Sequence, residues 1–150
     1  MPPVIYVSNE LKAALSAVEL ADLIGEFRWW KTDSAAREYE SPVFGKDSKL
    51  LRPTVDGAAY VISHCHLIPK NSTSDYLRWQ RDFRRRARKT SDRVLFYIED
   101  AGKFFLVDIV DDPGAHEIMR MMDRNGKAFM QKCADQAKAF LGGALALEPV

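Results

Sequence analysis

The chain contains three histidines, and each lies beside a segment whose pattern predicts a β-strand. His64 and His66 sit in Tyr60-Val-Ile-Ser-His-Cys-His-Leu-Ile68, and His116 follows the last strand-like run. Between them lies Arg78–Arg93, where eight of sixteen residues are Lys or Arg and two are Asp. Imidazoles exchange protons near neutral pH, and clustered guanidinium groups hold phosphates. Cleavage of RNA through its own 2′-hydroxyl needs a base for that hydroxyl, an acid for the departing 5′-oxygen and positive donors for the crowded phosphate. Two or three imidazoles with Arg and Lys meet those needs without a metal or another cofactor. A period of two along a strand puts His64 and His66 on one face, together with Tyr60, Ile62 and Ile68.

Each of these residues also has a plainer reading. His64 or His66 alone reads as a hydrogen-bonded strand residue. Thr90-Ser-Asp92 reads as turn chemistry, and Tyr97, central in an apolar strand, as core. His-x-His is a metal pair in several folds, with His116 as a possible third ligand. No HExxH or second Cys/His pair accompanies it, and Asp108, Asp111 or Asp112 would have to be recruited. Charge runs are usually solvated helix faces. Here the arginines lack opposite charges at most i+4 positions, so an external polyanion is the better explanation. The same segment supports a second reading, a protein that binds RNA or the ribosome without cutting.

The elements that must position these residues follow from local pattern. Val4 to Ser8 alternates as a strand that could run on toward Leu11. Ser16-Ala-Val-Glu19 is a capping box opening a helix over Ala17–Lys31, with Leu20, Leu23, Ile24, Phe27 and Trp30 as its apolar stripe. Thr32 to Val55 reads as a long irregular connection carrying Phe44-Gly-Lys-Asp47. Ala58–Ile68 is a strand ended by Pro69. Ser74 or Asp75 caps a helix to about Arg88, with Tyr76, Trp79, Phe83 and Ala87 inward and the arginines outward. Val94–Ile98 and Lys103–Val110 flank a Gly-containing connection of hairpin length. The rest is helical, broken near Asn125-Gly126 and stopped by Gly142-Gly143. The order predicts a single α+β domain over residues 1–150, built on a mainly antiparallel sheet.

Composition agrees. A chain of 150 residues, 47 % hydrophobic, has enough apolar material for one core. No apolar run approaches the roughly 18 residues of a membrane span, and the N-terminus lacks a signal-peptide pattern, so a cytoplasmic protein with no membrane partner is expected. Cys65 and Cys133 are expected as buried free thiols. The net charge of +1 is modest for an RNA-binding protein, so any binding must rest on a local patch.

Phe44-Gly-Lys-Asp47, His64-Cys-His-Leu67, Lys89-Thr-Ser-Asp-Arg-Val-Leu-Phe-Tyr97, His116-Glu-Ile-Met-Arg120 and Ala137-Lys-Ala-Phe140 occur in an order that resembles the YafO family of type II toxin–antitoxin toxins, over roughly Ser16 to Phe140. The resemblance implies a RelE/ParE-like fold and an mRNA interferase, an endoribonuclease that cleaves translated mRNA on the ribosome and is neutralised by a cognate antitoxin. The basic segment is longer and richer in Arg than the family pattern, and the N-terminus is extended. Site roles come from the chemistry: His64 or His66 as base or acid, His116 as complementary proton donor, Asp92 orienting an imidazole, and Tyr97 touching the scissile region. Arg84, Arg85, Arg88, Lys89, Arg93 and Arg120 are the expected phosphate-binding set.

Overall fold

Strands β1 (Val4–Val7), β2 (Phe44–Lys49), β3 (Ile62–Leu67), β4 (Val94–Asp100) and β5 (Lys103–Val110) form one sheet in the order β1-β5-β4-β3-β2. All neighbours are antiparallel except β1 and β5. The computed structural model describes residues 2–32 and 37–150. Its helices are α1 (Asn9–Ala14), α2 (Ala17–Thr32), α3 (Arg37–Glu40), α4 (Thr73–Arg84), α5 (Ala115–Met119) and α6 (Arg124–Leu141). This is an α+β fold on a mainly antiparallel sheet, as expected, and consistent with a RelE/ParE-like domain.

The sheet has a core on each face. On one, Leu23, Phe27 and Trp30 of α2 pack against Cys65, Leu67, Leu95, Tyr97 and Leu106. On the other, Ala115 of α5 and Met130, Cys133, Ala134 and Ala137 of α6 cover Ile62, Val94, Phe96, Ile98 and Val107. Both cysteines are buried and unbonded, as expected. Because His64 pairs with Phe96 and His66 with Val94, the two imidazoles share the α5/α6 face. Each buried large apolar side chain contributes on the order of 1.5–3 kcal/mol, and these two layers hold β3 in place.

Several expectations need correction. The first strand does not run toward Leu11: Ser8 accepts the Leu11 N–H at 3.0 Å and caps α1, a local bond that outweighs the extended pattern. The Ser16/Glu19 box does form, with bonds of 3.0 and 3.1 Å. The stretch from 32 to 55 is not irregular throughout, since it holds α3 and the edge strand β2; its residues 33–36 lie outside the described residues. Strand β3 begins at Ile62, not Ala58. Helix α4 is capped by Ser72 and stops at Arg84. Of its expected stripe only Trp79 is fully buried, with Phe83 half-buried and Tyr76 and Ala87 exposed.

The break in the last helical stretch falls at Arg120–Asp123, before Asn125-Gly126. Asp123 caps α6 by accepting the Gly126 N–H at 2.7 Å. Gly126 is there for close approach: a Cβ would lie 2.9 Å from the Ile118 carbonyl oxygen. Gly142 and Gly143 do end α6, the latter with φ of +72°.

Candidate functional site

Strand β3 and the start of α5 bring the three histidines together. The ring centroids of His64 and His66 are 5.8 Å apart, and those of His66 and His116 are 5.1 Å apart. Each ring is held by a different partner, and the partner decides which nitrogen carries the proton. His64 Nδ1 lies 3.0 Å from the Ser48 carbonyl oxygen, which can only accept. Nδ1 is therefore the N–H, and Nε2 keeps its lone pair in the neutral ring. His66 is the reverse: its Nδ1 accepts the Ser91 backbone N–H at 2.9 Å, so the neutral ring carries its proton on Nε2 and presents a donor.

Electrostatics keep both rings neutral. Burial lowers the His66 pKa to about 4, helped by His116, His64 and Lys46 and opposed by Asp92. Burial also lowers that of His64, against the Ser48 carbonyl and the Asp47 charge. His116 is exposed, and its Nδ1 lies 2.8 Å from Asp92 Oδ1. Asp92 also accepts the Gly114 N–H at 2.5 Å and the His116 N–H at 2.8 Å. Burial would raise the Asp92 carboxyl, but those backbone donors and the His116 ring hold it below its usual value. The carboxylate therefore caps α5 and orients the imidazole whose other nitrogen faces away from it.

The segment between α4 and β4 builds much of this. The Lys89 carbonyl accepts the Lys46 N–H at 2.9 Å along the free edge of β2. Ser91, whose hydroxyl donates to the Leu67 carbonyl at 2.5 Å, fixes His66, and Asp92 fixes His116. Three residues of the site had no role on sequence: Lys46, whose charge acts on both strand histidines, and the positioning residues Ser48 and Ser91. Lys46 and Ser91 lie inside the Phe44-Gly-Lys-Asp47 and Thr90-Ser-Asp92 motifs and Ser48 directly follows the first, but the histidines that Ser48 and Ser91 position are 16 and 25 residues away.

The structure assembles His64, His66, His116 and Asp92 and leaves two expected residues apart from them. Tyr97 is buried on the opposite face of the sheet, among the α2-side core, and its hydroxyl donates to Asp47 Oδ1 at 2.6 Å. Asp47 in turn accepts from Lys31 Nζ at 2.7 Å. Lys89 is 1 % exposed; its ammonium donates to the Glu38 carbonyl at 2.9 Å and lies under 6 Å from the Trp79 and Phe83 rings. It is committed to the protein interior and is not available to a phosphate.

The arginines are also more occupied than their spacing predicts. Arg86 pairs with Glu40 at 3.7 Å, Arg88 with Glu38 at 3.1 Å, Arg93 with Asp111 at 2.8 Å and Arg120 with Glu117 at 3.4 Å. The first three of those acids are distant in sequence, so i+4 counting missed them. Arg84 and Arg85 are exposed and make no ion pair among the described residues.

Fold and site together define a small α+β domain that carries a three-imidazole cluster, one ring anchored by a carboxylate and the other two under the charge of Lys46. Residues 28–142 match the family model described as Toxin YafO, type II toxin–antitoxin system, and over that share of its length the chain belongs to this family. Membership places it among type II toxins and implies a cognate antitoxin as partner. Comparisons with curated proteins and with solved structures gave no match. No helix among the described residues is long and apolar enough to cross a membrane.

Proposed function

We propose that this toxin is an mRNA interferase: a ribosome-associated endoribonuclease that cleaves translated mRNA by acid/base chemistry on His64 and His116 with His66 as a fixed hydrogen-bond donor, and that it works in the cytoplasm. The observation that carries the reading is the different hydrogen-bond partner of each ring: the Ser48 carbonyl for His64, the Ser91 N–H for His66 and the Asp92 carboxylate for His116. His64 offers a bare Nε2, His66 an Nε2–H, and His116 a nitrogen backed by Asp92. Among the described residues no three His, Cys, Asp or Glu side chains are grouped to hold a metal ion.

The step balances with these groups. His64 Nε2 takes the 2′-hydroxyl proton, and the 2′-oxygen forms a bond to the adjacent phosphorus. The bond from phosphorus to the 5′-oxygen breaks, and protonated His116 delivers its Nε2 proton to that oxygen, with Asp92 stabilising the imidazolium before transfer. His66 Nε2–H and the Lys46 ammonium hold the non-bridging phosphate oxygens, as fixed donors aimed at developing charge. The products are a 2′,3′-cyclic phosphate and a 5′-hydroxyl.

Primer extension on a reporter mRNA during translation tests this, with wild type beside a His64→Ala/His66→Ala variant and beside ribosome-free RNA. New ends that need both ribosomes and the histidines are expected. Salt-sensitive ribosome association with no new ends would replace the reading with a binding-only toxin.

A further inference from the structure

Beyond the histidines, on the same face of the sheet, lies a hollow of about 510 Å³ lined by Leu50, Leu51, Arg52, Met119, Arg120, Met121 and Met122. Its lining residues adjoin the cluster along the chain at two elements. Leu50 lies two residues along the chain from Ser48, the His64 anchor, and its N–H bonds to the Ile62 carbonyl at 2.8 Å. Met119 and Arg120 lie within one turn of His116, roughly 6 Å along α5.

Leu50, Met119 and Met121 root the floor in the α5/α6-side core, while Leu51 and Met122 are 56 % and 77 % exposed. Met121 holds a left-handed backbone, φ +54°, where glycine would be at ease. Arg52 makes no ion pair among the described residues. Met122 also borders a second hollow with Asp123, whose carboxylate caps α6, and with Arg124 and Lys127, which make no ion pair among the described residues. No acidic residue lines the first hollow.

We infer that this methionine-floored hollow is the subsite for a nucleobase next to the scissile phosphate, resting on the ribonuclease reading above. Thioether and leucine groups accept the flat face of any base. Arg52 and Arg120 flank it where the adjoining phosphates would run, and Arg124 and Lys127 continue the track. Arg120 pairs with Glu117 at 3.4 Å on the exposed surface, a contact weak enough for a phosphate to displace. Sulfur contacts adapt to differing rings, so the subsite would grade bases by size rather than read their edges.

The test uses the full chain on translating ribosomes, with reporter mRNA containing 4-thiouridine. Photo-crosslinks are mapped by mass spectrometry, cut sites by primer extension, for wild type and for Leu51→Ala/Met122→Ala, whose side chains are exposed. Crosslinks at Leu51 or Met119–Met122 are expected in wild type. The double variant should lose them, cut about tenfold more slowly, the effect of roughly one lost apolar contact, and change the base preference beside the cut.

Wild-type cutting with no crosslink here and no change in the variant would overturn the subsite and leave the ribonuclease reading standing. Crosslinks here without cutting would remove the ribonuclease and with it the subsite, leaving the hollow as an RNA-binding surface only. Absence of both would remove both. A variant that keeps rate and base preference but escapes the antitoxin would assign the hollow to protein docking, against this inference.

Discussion

His66 can carry a catalytic proton only if it can be protonated, and its surroundings act against that. The Ser91 N–H occupies Nδ1, and burial holds the pKa near 4. His66 is thus a neutral donor at physiological pH, and in the proposed step the proton donor is His116, exposed and hydrogen-bonded to Asp92. A linkage consequence follows. Between the unfolded value of 6.5 and about 4, the unfolded chain binds a proton that the native ring refuses. The contribution of His66 to stability is intact above pH 6.5 and is lost as pH falls toward 4. Urea midpoints measured across that window should fall in wild type and fall less in His66→Gln; equal slopes would show that His66 is not held neutral. Nitrogen-15 spectra near pH 7.5 should show Nε2–H on His66 and Nδ1–H on His64. The opposite tautomer on either ring would void its assigned role.

At the scale of elements, the edge of β2 and the segment after α4 are one unit. Gly45 lies so close to that segment that a Cβ would sit 2.3 Å from the Lys89 carbonyl oxygen and 2.9 Å from the Trp79 ring. Gly45→Ala must push the two apart and should cost about 1–3 kcal/mol in urea unfolding. It should also disturb Ser91 and Asp92, which hang from the same segment, so cleavage per folded molecule should fall. A variant with wild-type stability and activity would show that the contact is soft. The same unit separates the arginines by availability. Arg84→Glu/Arg85→Glu should weaken RNA binding and reduce the salt dependence of its logarithm by about 0.7 for each phosphate contact removed. Lys89→Met should leave that slope unchanged, and a reduced slope for Lys89→Met would return Lys89 to the RNA-binding set.

Across the whole molecule, the sheet divides two polar systems. The Lys31–Asp47–Tyr97 network lies on the α2 side, and the histidines lie on the α5/α6 side. Tyr97→Phe removes one hydrogen bond to a charged, part-buried carboxylate and should cost roughly 1.5–3 kcal/mol. Toxicity per folded molecule should stay unchanged. A loss of cleavage without loss of stability would bring Tyr97 back into the mechanism. Antitoxin and ribosome must both be accommodated by what remains exposed, which includes the α4 arginines and the α5/α6 rim.

Much of this was legible in local pattern. The capping box set α2, the Gly-containing connection set the β4/β5 hairpin, and a period of two put His64 and His66 on one face; the five ordered motifs pointed to the family. These signals depend on neighbours one to four residues apart, which the chain determines before it packs. The tautomers, the burial of Lys89, the placement of Tyr97 and the neutralisation of Arg88 by Glu38 depend on pairs 16 to 51 residues apart. Residue types named the available chemistry, and only tertiary packing decided which proton sits on which nitrogen and which cations remain free, because solvent exposure and long-range partners arise when the layers close.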